Sequence, residues 1–116
     1  MLTADEFRRI ALSLLDVIES SHMGHPDFRV GGKIFATLGV PDDGWGMVKL
    51  TPEQQESFVE TGAAAFVPVK GGWGIRGATN VCLEAAKAKS LRAAMEVAWR
   101  NVAPKKLVAK LKDVTS

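Results

Sequence analysis

The sequence predicts an α+β domain built on an antiparallel sheet of about five strands. An N-terminal helix, a short middle helix and C-terminal helices are expected to pack mainly on one face. Three observations carry this. An apolar stripe of helical period follows a capping pattern at Thr3. Short β-prone runs then follow one another with connectors too brief for crossover helices, which favours antiparallel pairing. Helical periodicity returns near Lys87 and persists almost to the end. At 116 residues the chain is read as one domain, long enough to bury a core without disulfide staples.

Taken in order, Thr3 with Glu6 makes a Thr-x-x-Glu capping box. Phe7, Ile10, Ala11, Leu14, Leu15 and Ile18 recur on one helical face, and Gly24 with Pro26 is expected to end that helix. Strands are expected at Asp27–Val30, Lys33–Leu38 and Gly46–Leu50, with Gly39-Val40-Pro41-Asp42-Asp43-Gly44 as a turn. A second helix starts at Thr51-Pro52-Glu53-Gln54, where Thr51 caps, Pro52 suits the first turn and Gln54 completes a capping box; it should end near Gly62. Ala65–Val69 and Gly74–Leu83 supply two more strands. Although Asn80 is able to cap a helix, the alternation of Ala78 to Leu83 favours a strand, so the third helix is placed from Lys87 to Pro104. Its face carries Leu91, Met95, Ala98, Trp99 and Val102. A short basic helix from Lys105 to Lys112 follows, with Leu107, Val108 and Leu111 on one side.

Composition narrows the classes. One cysteine, Cys82, leaves no disulfide framework and no cysteine pair for zinc, and a buried free thiol is the default reading. The first twenty residues are amphipathic and broken by charges, unlike a leader or a membrane span. The expected setting is cytoplasmic, with no membrane association and a monomeric state. Residues 1–69 hold five Lys/Arg and ten Asp/Glu, whereas residues 70–116 hold ten and three. The basic C-terminal part suits a polyanion, or simply a solvated helix face.

The stretches HPDFRVGGKIFATL, VKLTPEQQ, FVPVKGGWGIRGATNV and AWRNVAPKKL, in that order, resemble the MmcQ/YjbR-like family of small bacterial proteins. The resemblance runs from about Ser21 to Leu107. It implies an α+β domain with a strongly curved antiparallel sheet and a double-wing arrangement similar to DNA-binding folds.

Gly31-Gly32-Lys33 is the first candidate site. A P-loop needs GxxxxGK[ST] opening a helix, but here Lys33 is followed by the β-prone Ile34-Phe35-Ala36-Thr37-Leu38. The glycines read as a hairpin turn. A two-residue loop pairs Arg29 with Ile34 and mixes charged and apolar residues on both faces. A three-residue loop, Val30-Gly31-Gly32, pairs Arg29 with Lys33 and gathers Phe28, Ile34, Ala36 and Leu38 on one face. Patterning favours the second register, which predicts that Arg29 and Lys33 project together beside Phe35. Either Asp27 or an anionic ligand would then offset the two like charges.

Lys70-Gly71-Gly72-Trp73-Gly74-Ile75-Arg76-Gly77 is the second. Lys70 and Arg76 beside Trp73 suit a phosphate or a stacked base, although the favoured reading of Trp73 itself is packing into the core at a strand start. Trp99 is expected in the core. His22, His25 and Asp27 offer at most three ligands, so no metal is expected; His22 is placed near a helix C-terminus and Asp27 is read as orienting His25. No cofactor fingerprint, nucleophile elbow or paired-carboxylate motif is present, and an enzyme is not the favoured class.

The leading expectation is a non-enzymatic protein that binds DNA or another polyanion without sequence specificity, through Arg29, Lys33, Lys70, Trp73 and Arg76, with Lys105, Lys106, Lys110 and Lys112 adding a delocalised field. The alternative is a small-ligand- or protein-binding module with a pocket formed by His25, Asp27, Phe35 and Trp73.

Overall fold

The computed structural model describes the backbone of residues 1–115 and the side chains of residues 1–110. Helix α1 spans Ala4–Leu12 and opens on the expected capping box. The Glu6 amide donates to Thr3 Oγ1 at 3.1 Å and the Thr3 amide donates to Glu6 Oε1 at 3.2 Å, so two otherwise unpaired donors are satisfied. The helix buries Phe7, Ile10 and Ala11.

It does not continue to Gly24. Ser13 Oγ donates to the Ile10 carbonyl at 2.7 Å, Asp16 takes a left-handed φ of 55°, and Ile18–His22 becomes strand β1. Two tertiary partners outweigh the helical pattern there. Trp99 Nε1 donates to the Leu15 carbonyl at 3.0 Å, and β1 pairs antiparallel with strand β2, His25–Val30. Met23 and Gly24, both at positive φ, make a two-residue turn between them. Gly24 is therefore a turn residue, Pro26 lies within β2, and His22 sits on a strand rather than at a helix end.

Strands β3 (Lys33–Leu38) and β4 (Trp45–Lys49) follow, then helix α2 (Pro52–Thr61) and strand β5 (Phe66–Pro68). Thr51 and Gln54 form the second capping box as expected, and Gly62 is the C-cap. The single strand expected over Gly74–Leu83 divides into a helical turn α3 (Gly72–Ile75) and strand β6 (Ala78–Cys82). Gly71 and Gly77 supply the positive φ values that bound the turn. Helix α4 spans Ala88–Val102, and α5, Lys105–Thr115, begins after Pro104; the expected positions of Leu111 and Lys112 lie outside the described side chains. The sheet has six strands, all antiparallel, in the order β1-β2-β3-β4-β6-β5. The additional strand relative to expectation is β1.

Helices α1 and α4 cover one face of this sheet. Phe7, Phe28, Phe35, Val48, Val81, Leu91, Met95 and Trp99 are fully enclosed between the layers. Phe7 and Phe28 meet tilted, with ring centroids 6.0 Å apart. Gly46 makes room for this helix, because a Cβ there would stand 2.6 Å from the Phe7 ring. Among the described residues no helix is long and apolar enough to cross a membrane.

The β2–β3 hairpin departs from the expected register. Val30 pairs with Lys33 and Arg29 with Ile34, so the loop is two residues, Gly31-Gly32, both at positive φ. Beyond it the register shifts, and Phe28 pairs with Ala36. The extra residue, Phe35, forms a bulge that turns both Phe35 and Ala36 into the core, where each is fully buried. A bulge thus resolves the mixed pattern that argued against the short loop. Paired residues share a face, so Arg29 lies with Ile34, and Lys33 alternates to the opposite face. The expectation that Arg29 and Lys33 project together is corrected.

Candidate functional site

The second sheet face is open. Strand pairing sets one row of side chains across it: Ser20, Asp27, Thr37, Met47, Asn80 and Val67, on β1, β2, β3, β4, β6 and β5. Trp45 and Lys49 flank Met47 on the same face, while Gly46 and Val48 point into the core. Apart from Ser20, these residues of the open face, together with Val40, Pro41, Val69 and Trp73, line a groove of about 850 Å³ whose walls are predominantly apolar.

One end of the groove is aromatic and cationic. Trp73 stands on α3 and is 61 % exposed. Lys49 Nζ lies 5.8 Å from the centroid of its ring and Arg76 Cζ lies 5.9 Å from it, both within cation–π range. Lys70 lines the same end. The local backbone is held in place from below. Gln55 Nε2 on α2 donates to the carbonyls of Gly74 and Ala78, each at 3.0 Å. A side chain at Gly74 would run into the Val69 backbone, and one at Gly77 into that of Leu50. The glycines therefore bring α3 against the sheet and present Trp73 outward, which corrects the core packing expected for this residue.

The other end is electrically closed. Asp27 is 1 % exposed, and both its oxygens accept from Arg29: from Nε at 2.8 Å and from the other guanidinium nitrogen at 3.1 Å. The hydrogen bond to Asp27, reinforced by its charge and opposed by desolvation, raises the guanidinium above its ordinary pKa. The compensating group for Arg29 is thus an internal carboxylate. Asp27 makes no hydrogen bond to His25. His25 pairs with His22 across the Met23-Gly24 turn, and both line the groove.

Of the residues singled out from sequence, Lys70, Trp73 and Arg76 come together, and Lys49 joins them. Lys49 was missed, although its alternation with Met47 and Trp45 on β4 was readable. His25 and Asp27 line the groove with Trp73, but Phe35 does not; the bulge buries it on the opposite side of the sheet. Lys33, Lys105 and Lys106 are exposed elsewhere, and the β2–β3 turn lies against Pro104, as a Cβ on Gly31 would stand 2.8 Å from the Pro104 ring. Cys82 is half-buried, not enclosed, at the end of β6.

These features define an open-faced α+β domain with a binding-sized groove on the sheet side that α1 and α4 leave uncovered. The chain belongs to the YjbR family, whose model matches residues 12–101. Its fold is that of a crystal structure of the Deinococcus radiodurans protein DR2400, a DUF419 protein, with a TM-score of 0.74 at 19 % identity over 91 % of this chain and 82 % of that one. No functionally curated protein matches the chain.

Proposed function

We propose that the protein is a non-catalytic binding module that takes a small, largely apolar ligand in the sheet-face groove. The observation that carries this reading is the groove itself: about 850 Å³, walled mainly by apolar side chains on the sheet face that α1 and α4 leave uncovered. That volume falls within the range of small-molecule sites, and exposed apolar surface of this extent is costly unless it is used. The uncharged dye N-phenyl-1-naphthylamine tests it. Saturable binding with fluorescence enhancement is expected, and Met47→Glu, which puts a charge on the groove floor, is expected to abolish it while the far-ultraviolet circular dichroism stays native. Absence of saturable binding, or binding that survives Met47→Glu, overturns the reading.

A second reading, polyanion binding, is favoured by one observation. The β2–β3 hairpin that carries Lys33 abuts Pro104, immediately before Lys105 and Lys106. A phosphate backbone would meet these lysines at the hairpin end of the β2 and β3 strands rather than the Arg29–Lys33 pair expected from sequence. Duplex DNA titrated at several salt concentrations tests it. A log–log salt slope of about 0.9 per phosphate contacted is expected, reduced in the triple variant K33A/K105A/K106A. No binding at low salt, or a slope unchanged in the triple variant, overturns it.

A further inference from the structure

We infer that the groove's ligand is an anionic amphiphile: a single apolar chain lying across the sheet, with a terminal carboxylate at the Trp73 end. This rests on the groove reading above and adds polarity to it. Two cations, Lys49 and Arg76, stand 5.8 and 5.9 Å from the centroid of one indole. Among the described residues, neither forms an ion pair, and neither does Lys70. Like charges gathered around one ring repel each other, and a bound anion turns that repulsion into attraction.

The opposite end differs in kind. Asp27 and Arg29 neutralise each other through two hydrogen bonds and leave no net charge for a ligand. Apart from His22 and His25, which also line the groove, its net charge lies at one terminus, and an occupant matching it has one charged terminus too. From Asp27 on β2 to Val67 on β5 there are four strand intervals, or about 19 Å along the sheet, enough for an extended medium-length chain. A peptide fits less well, because its backbone amides would face apolar walls without hydrogen-bond partners. A nucleic acid strand would bring charges along its whole length to a groove cationic at one end only.

Displacement of N-phenyl-1-naphthylamine by dodecanoate and by dodecan-1-ol, both below their self-association concentrations, separates body from head group. Dodecanoate is expected to bind about tenfold or more tightly than the alcohol, the effect of charge-assisted hydrogen bonds. The preference, taken as the ratio of the two affinities within each protein, is expected to shrink at high salt and to be largely lost in K49M/R76M, whose fold is checked by circular dichroism. Equal affinities in the native protein, or a preference that survives K49M/R76M, overturn the anionic head group while dye binding keeps the groove reading intact. Loss of dye binding by the native protein overturns both.

Discussion

Arg29 clasps Asp27 from two positions along the same strand, its guanidinium donating to both carboxylate oxygens at 2.8 and 3.1 Å. Alternation places the two side chains on one face, and the sheet encloses the carboxylate while the guanidinium stays about one-third exposed. The pair neutralises one end of the groove.

Breaking this pair from either side is expected to cost stability unequally. R29M leaves a buried carboxylate without its donors, whereas D27N retains a polar group for Arg29 to meet. Urea unfolding is expected to show a larger fall in midpoint for R29M than for D27N. The double variant D27N/R29M is expected to lose less than the two singles combined. Additive losses would show that the contact contributes nothing of its own.

Neighbouring glycines in the second cluster are expected to respond in opposite ways. Gly74→Ala drives a methyl group into the Val69 backbone and is expected to cost about 3 kcal/mol. A Cβ at Gly72 meets nothing within 4 Å, and Gly72→Ala is expected to be neutral or to stabilise α3 by up to about 1 kcal/mol. Thermal unfolding of both variants checks the contrast.

Gln55 is a positioning residue for the Trp73 end. Gln55→Ala removes two hydrogen bonds to the α3–β6 segment and is expected to cost about 1–3 kcal/mol. The loosening should also be visible at a distance, as faster amide exchange over residues 74–78 and a weaker dodecanoate preference, with dye affinity nearly unchanged. Gln55→Glu keeps the size but loses both donors, and is expected to behave like Gln55→Ala rather than like the native protein.

Trp99→Phe tests what ends α1. It deletes the donor to the Leu15 carbonyl and part of a fully buried ring, for an expected loss of about 2–3 kcal/mol. If this bond anchors the chain between α1 and β1, amide exchange over residues 18–22 accelerates more than at the centre of the sheet.

Much of the fold was legible because its signals are local. The two capping boxes join residues three apart, a hairpin turn at Gly31-Gly32 is marked by its glycines although its loop length is not, and Pro104 separates α4 from α5. The end of α1 was not legible. Leu14, Leu15 and Ile18 continue the helical period, and the partners that divert them, Trp99 and β2, lie far away in sequence. The site was legible in part. Lys70, Trp73 and Arg76 share one short glycine segment, while Lys49 reaches the same indole through pairing of β4 with β6, strands separated by α2, β5 and α3.

The sequence by itself determined the α+β class, the caps, most of the strands and the presence of two glycine clusters, since each depends on contacts within a few residues. Only the tertiary structure decided how their side chains are used. Burial of both Phe35 and Ala36 requires a bulge, which permits the two-residue loop whose register sends Arg29 and Lys33 to opposite faces. Enclosure of Asp27 makes it the partner of Arg29, and the joining of β4 to β6 brings Lys49 to the Trp73 ring that Arg76 already flanks. Alternation states which residues share a face within one strand; which strand lies beside it, in what register and under what cover, is a property of the packed sheet.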